Sequence, residues 1–129
     1  MKCFPRLTAK DDRAFWVTKC MFDQQFDKVD FRCREALDFE SNYSCHWFES
    51  DQEGNCFFLL PTVQVVSGST QFINGRHRTA VVLDKCDRIP MAFAGCAAID
   101  LAMQRQLKPV RESIHFELPD LPIVDRPRC

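Results

Sequence analysis

The apolar positions change period several times along the 129 residues, and each change predicts an element. "FWVTKCMF", residues 15 to 22, is apolar and rich in β-forming residues, which predicts a first strand. In "KVDFRCREALDFE", Val29, Phe31 and Cys33 alternate before Ala36, Leu37 and Phe39 close up, which predicts a short strand running into a helical turn. "SNYSCHWFESDQEGNC" is polar at both ends, with Tyr43, Trp47 and Phe48 as apolar anchors and Glu53-Gly54-Asn55 as a turn. "CFFLLPTVQVV" reads as a strand, with Val63 and Val65 alternating with Thr62 and Gln64. "SGS" turns the chain, "TQFI" is the next strand, and Asn74-Gly75 ends it.

From there the period lengthens. Residues 76 to 86 read as a helix of about three turns, with Ala80, Val81 and Leu83 toward a sheet. "DRIPMAFA" holds a short strand over residues 89 to 93. "GCAAIDLAMQRQLK" is built of good helix formers, with Cys96, Ile99 and Met103 along one face and Pro109 as the stop. "VRESIHFEL" reads as a last strand through Val110, Ile114 and Phe116, and "PDLPIVDRPRC" as an extended tail docked by Leu121 and Ile123. The sum is an α+β class protein: a small mixed β-sheet flanked by helices, one domain over residues 1–129, with residues 1–12 and 118–129 as extended tails.

Composition adds three limits. At 46% hydrophobic and 12% aromatic residues, with twelve Phe against one Tyr, the chain can build a Phe-rich core. The formal net charge of −1 gives no global basic field, so any anion site must be local. No stretch approaches the roughly 18 to 20 apolar residues of a membrane span, and "MKCFPRLTAKDDRAFW" carries charges throughout with no signal-peptide core. A cytoplasmic protein with no membrane insertion is expected.

The eight cysteines, Cys3, Cys20, Cys33, Cys45, Cys56, Cys86, Cys96 and Cys129, show no C-x(2–4)-C spacing. That leaves no zinc knuckle and no thioredoxin-type pair, and in a reducing compartment the thiols are expected to stay mostly reduced and to pack as small hydrophobes. The sequence contains no G-x-x-x-x-G-K-[ST], H-E-x-x-H or G-x-S-x-G, so nothing supports a P-loop NTPase, a zinc protease or a serine hydrolase.

The candidate chemistry lies in "QFINGRHRTAVVL". A strand, an Asn-Gly turn and a helix start make an anion pocket, because a helix's first turn presents N–H groups outward and its dipole adds partial positive charge. Gly75 tolerates positive φ and lets the backbone come close to a ligand. Arg76, His77 and Arg78 sit where cations oppose the dipole, a conflict that a phosphate would resolve with backbone N–H groups and arginine forks together. His77 is placed to donate a hydrogen bond or exchange a proton near neutral pH. Read residue by residue, the same stretch is equally a hairpin turn with solvated Arg and His side chains.

"INGRHRTAVVLDKCDRIPMAFA" resembles the core signature of the ParB/sulfiredoxin-like superfamily: strand, Gly-x-His-Arg turn, helix, and a strand opening Ile-Pro. The resemblance covers residues 63 to 94. It implies a nucleotide-phosphate site (ATP or CTP, with a divalent cation) formed by Asn74, Gly75, Arg76, Arg78 and Thr79. In any hydrolysis, Arg76 and Arg78 would be charge stabilisers and His77 the proton-transfer group. Arg76 stands where sulfiredoxins carry their catalytic cysteine, so the resemblance does not extend to sulfinic-acid reduction. The chain is too short for the helix-turn-helix and dimerisation domains of segregation ParB proteins. Short plasmid fertility inhibition factors look most similar, through "NGRHRT" and the apolar helix after it. That implies a protein that blocks conjugative DNA transfer by acting on a type IV secretion coupling ATPase or its DNA substrate; some members of that group are linked to nucleotide hydrolysis and DNA cleavage. Enzyme activity, as a nucleotide hydrolase or a metal-dependent nuclease, stays open. The alternative is a non-enzymatic interaction module with a vestigial nucleotide pocket.

Outside the turn the signals are weaker. Glu112, His115 and Glu117 fit a solvated strand edge better than a metal site, and Cys45-His46-Trp47 fits packing. Trp16, Trp47 and the many Phe residues fit either the core or an aromatic patch for a protein partner.

Overall fold

A computed structural model describes residues 1–25 and 42–124. The expected strand and helical turn in residues 28–40, together with Cys33 and Cys129, lie outside the described residues. The described elements are β1 (Lys2–Arg6), β2 (Arg13–Thr18), α1 (Lys19–Gln25), β3 (Tyr43–Ser44), a single 3₁₀ turn (Cys45–Trp47), β4 (Phe48–Ser50), β5 (Cys56–Leu59), β6 (Thr62–Val66), β7 (Ser69–Asn74), α2 (Arg76–Lys85), β8 (Arg88–Phe93), α3 (Cys96–Gln104), β9 (Phe116–Glu117) and β10 (Ile123–Val124).

The α+β class holds, but the strands form two four-stranded sheets, ordered β4-β5-β1-β9 and β2-β8-β6-β7, and a two-stranded ladder β10-β3, rather than one sheet. The expected strand "CFFLLPTVQVV" is where the sheets meet. Before Pro61 the chain pairs with β1, ending with Leu60 N donating to Arg6 O at 3.0 Å. After it, the chain joins β8, beginning with Ala92 N donating to Pro61 O at 2.8 Å. Proline suits the hand-over: it has no N–H to satisfy, and its carbonyl is still available.

In the second sheet, β2 runs antiparallel to β8, from Arg13↔Phe93 to Thr18↔Arg88, and β6 runs parallel to β8 through Thr62↔Ala92 and Val63↔Phe93. Two parallel neighbours need a crossover. Here it is the β6–β7 hairpin, turned at Ser67 and Gly68 with φ 52° and 79°, followed by α2. The crossover therefore carries the Arg-His-Arg stretch to the end of the sheet. α2 buries the expected Ala80, Val81 and Leu83 and also Thr79 and Val82, so its middle is covered all round rather than on one face.

One core joins the layers. Phe15 and Phe93 meet edge to face at 5.4 Å, and Tyr43 packs with Phe48 at 5.3 Å and Trp47 at 6.3 Å, so the predicted anchors do converge. Burying each such ring is worth roughly 1.5–3 kcal/mol. Replacing Phe93, which has 0% exposure, with Ala would cost about 3–5 kcal/mol.

Four expectations change. The first strand stops at Thr18, whose Oγ1 accepts from Met21 N at 3.1 Å, and α1 starts there instead. A Ser or Thr hydroxyl placed to take a first-turn N–H favours a helix start over strand propensity. Of the expected α3 face only Ile99 packs against the core: Met103 is 57% exposed and Cys96 is exposed, while Ala98 and Ala102 are buried at 0%. α3 packs on β6 and β8 through small residues, which let the backbones approach closely. The last strand shrinks to Phe116–Glu117, and Ile114 is 56% exposed. Residues 2–6, expected within a tail, are extended as β1 between β5 and β9, with Cys3 and Pro5 buried.

Candidate functional site

The turn from β7 into α2 is built on Gly75. Its φ of 89° and ψ of 14° fall in the left-handed region that glycine adopts without penalty. Space also demands glycine: a Cβ there would lie 2.5 Å from both Pro61 Cα and Pro61 Cβ, and 2.8 Å from Arg78 Nε. Pro61 thus forms the floor of the turn and Arg78 folds back over it. Sequence reasoning missed Pro61, which lies in the link between β5 and β6 and whose only signal was a proline interrupting an apolar run.

Thr79 secures the turn from inside. It is 0% exposed, and both its N–H (3.0 Å) and its hydroxyl (2.8 Å) donate to Gly75 O. The hydroxyl expected to face a ligand is committed to the turn's own backbone. No side chain caps α2, and no acidic residue lies in its first turn.

Arg76, His77 and Arg78 are all half-buried, so the three side chains lie along the protein rather than out in solvent. The Arg76 guanidinium carbon is 5.9 Å from the centroid of the Phe72 ring on β7. Arg78 donates from Nη2 to Asn74 Oδ1 at 3.4 Å, a long bond to a neutral amide. Among the described residues, its buried Nε has no hydrogen-bond partner and no carboxylate pairs with it. Burial lowers the Arg78 pKa to about 10, the direction expected when a cation is desolvated without an opposing charge. The structure therefore gathers Asn74, Gly75 and Arg78 in contact, places Arg76 and His77 beside them, and turns Thr79 inward. A half-buried cation at a helix N-terminus, with no carboxylate partner among the described residues, favours an anion through Coulomb attraction and the dipole.

The other candidates have structural roles. Glu112 Oε1 accepts from Leu7 N at 3.1 Å, Glu117 Oε2 pairs with the Met1 ammonium at 3.1 Å, and the His115 ring meets Phe4 edge to face at 5.9 Å. Among the described residues, no group of three or more His, Cys, Asp or Glu is placed to hold a metal ion. Cys45-His46-Trp47 forms the 3₁₀ turn after Ser44, and Trp47 packs against the core. Trp16 is half-buried, with Arg88 stacked 3.9 Å from its ring. Among the described residues, no helix is long and apolar enough to cross a membrane. Compared with protein-family models, curated proteins and solved structures, the chain finds no match.

Proposed function

We propose that the turn formed by Asn74, Gly75, Arg76, His77 and Arg78 binds the phosphate of a nucleotide, and that the chain acts as a ParB/sulfiredoxin-like fertility inhibition factor. In this reading it blocks conjugative transfer at a type IV secretion coupling ATPase or its DNA substrate. The observation that carries the reading is Arg78: a cation held against a helix N-terminus, Nε unpaired, with one long bond to a neutral amide. A bound phosphate would supply the missing acceptor and the missing charge. Support for the fertility inhibition role comes from the "NGRHRT" stretch and its strand–turn–helix setting, now seen as β7, Gly75 and α2.

Thermal shift and calorimetric titration with ATP, CTP and inorganic pyrophosphate, with and without Mg²⁺, test the site. Stabilisation of the wild type by a triphosphate, lost when Arg76, His77 and Arg78 are all replaced by Ala, is the expected result. No stabilisation at millimolar ligand would remove the phosphate reading. A conjugation assay on the same triple variant tests the second half. Lost binding with intact inhibition of transfer would move the assignment to a non-enzymatic interaction module; loss of both, with the fold kept, supports a nucleotide-dependent inhibitor.

A further inference from the structure

We propose that Cys3 and Cys56 form a redox-modification site, a dithiol that closes to an intramolecular disulfide joining β1 to β5. Three observations converge. The strands are parallel neighbours in the register Phe4↔Phe57, so Cys3 and Cys56, one step earlier on each, stand opposite one another. Side-by-side strand residues fall within the roughly 4.4–6.8 Å Cα separation that disulfides need. The two Sγ atoms are 3.1 Å apart, with the side chains already turned toward each other.

The two thiols are unequal, which sets the order of events. Cys56 is half-buried and open to a small reagent, whereas Cys3 is 0% exposed. Burial and the neighbouring Cys56 sulfur raise the Cys3 pKa, so Cys3 is the poorer first nucleophile. With a low-molecular-weight disulfide such as oxidised glutathione as the oxidant, the Cys56 thiolate attacks one glutathione sulfur. The S–S bond of the reagent breaks and one glutathione leaves as thiolate, which takes up a proton. Cys3 then loses its proton to solvent and attacks the Cys56 sulfur of the mixed disulfide, releasing the second glutathione. Two protein thiols are oxidised, one reagent disulfide is reduced to two thiols, and no other reactant is needed.

Such a bond closes a loop of more than 50 residues, running from the first strand to the strand that leads into Pro61. It is expected to raise the thermal midpoint and to fix β1 in its sheet. The proposal is independent of the phosphate reading, because it rests on β1 and β5 and on no residue of the turn.

The test uses the reduced full chain in glutathione buffers of graded redox ratio, quenched in acid, alkylated and digested without reductant for mass spectrometry. The expected product is a Cys3 peptide joined to a Cys56 peptide, two hydrogens lighter than the dithiol. Exposed Cys96 should stay alkylatable, and the oxidised chain should have a higher thermal midpoint. Cys56→Ala should abolish the joined peptide and leave Cys3 unmodified at every ratio. The wild-type digest decides the matter whether or not that variant folds. Full alkylation of Cys3 and Cys56 in buffers that already glutathionylate Cys96 would overturn the proposal, as would a persistent Cys56–glutathione adduct with Cys3 still a thiol.

Discussion

α2 and α3 each begin at a glycine of positive φ, with ψ 14° at Gly75 and 158° at Gly95, and differ also in what surrounds it. Each follows a strand, each has a glycine N-cap with positive φ (89° at Gly75, 87° at Gly95), and neither has a side-chain cap. At Gly75 an added Cβ would press into Pro61 at 2.5 Å; at Gly95 it would meet nothing within 4 Å. Neither helix has an acidic residue in its first turn, but Gly75 leads into half-buried Arg-His-Arg, whereas Gly95 leads into exposed Cys96 and Ala97. Strand–glycine–helix is common hardware for turning a chain. What distinguishes the α2 turn is close backing from Pro61 combined with cations that oppose the helix dipole. Under the proposal above that combination is a binding device, and the α3 turn is its natural control.

The largest effect should come from the glycines. Gly75→Ala combines positive φ with a backbone clash against Pro61 that no rotamer relieves, so the loss should be on the order of 4 kcal/mol or more. Gly95→Ala meets open space but must hold φ 87° with ψ 158°, a region nearly confined to glycine, and should cost about 1–3 kcal/mol. Urea denaturation of the two variants measures both. Equal losses would mean that Pro61 yields, and that the close backing does not set the α2 turn apart.

Arg78 should separate function from stability. Its desolvated guanidinium lacks an opposing charge, so the unliganded fold carries a penalty that a neutral side chain of similar length avoids. Arg78→Met is expected to raise the thermal midpoint of the free protein while weakening phosphate-ligand affinity at least tenfold, about 1.4 kcal/mol. A destabilised Arg78→Met with unchanged affinity would make Arg78 a packing residue, and the α2 turn no more than another helix start.

The same contrast marks what the sequence made legible. The α2 turn could be read because its determinants are contiguous: alternating Phe72 and Thr70, then Gly75, then three basic residues opposed to the helix dipole. Pro61 could not, because its role depends on the pairing of β6 with β7, which sets the residue before Thr62 beside the turn after Asn74. The face of α3 was misjudged for a related reason. Ile99 does pack against the core, but Met103 is exposed, and Ala98 and Ala102 are the fully buried residues, small enough for α3 to sit on β6 and β8. Apolar periodicity measures transfer free energy and is blind to how close the neighbouring layer lies. The strand expected over residues 15–22 ended early because the hydroxyl of Thr18, a local hydrogen-bond acceptor, outweighed β propensity.

The pH axis distinguishes the turn from the sheets behind it. Burial raises the Cys3 and Tyr43 pKa values above their ordinary 9.0 and 10.0. The native state therefore holds these protons more tightly than the unfolded chain. The stability they contribute is complete below the unfolded values and is lost as pH rises past them. Arg78 runs the other way: its folded pKa of about 10 lies below the ordinary 12.5, so its penalty is constant below about pH 10 and fades only above it. Between about pH 8.5 and pH 10.5 stability should fall, by up to about 1.4 kcal/mol per pH unit for each group fully titrating in the unfolded chain. Tyr43→Phe, which also loses the 2.6 Å bond to Pro119 O, should start lower but fall less steeply, and Arg78→Met should track the wild-type slope up to about pH 10. An unchanged slope in Tyr43→Phe would remove Tyr43 as a titrating group.

The smallest effect concerns the hydroxyl that holds the α2 turn shut. At the α3 turn, Gly95 O accepts one bond, from Ile99 N at 3.1 Å; at the α2 turn, Gly75 O accepts from both the N–H and the hydroxyl of Thr79. Thr79→Val keeps the branched shape and the backbone bond and removes only the hydroxyl donor. The carbonyl keeps a partner, so no acceptor is stranded and the loss should be about 0.5–1.5 kcal/mol. Affinity for a phosphate ligand should stay within about threefold of wild type, because the hydroxyl faces Gly75 O rather than the outside, and about threefold corresponds to well under 1 kcal/mol. A much larger drop in affinity at unchanged stability would mean that the hydroxyl turns outward when ligand binds, and that the α2 turn rearranges where the α3 turn cannot.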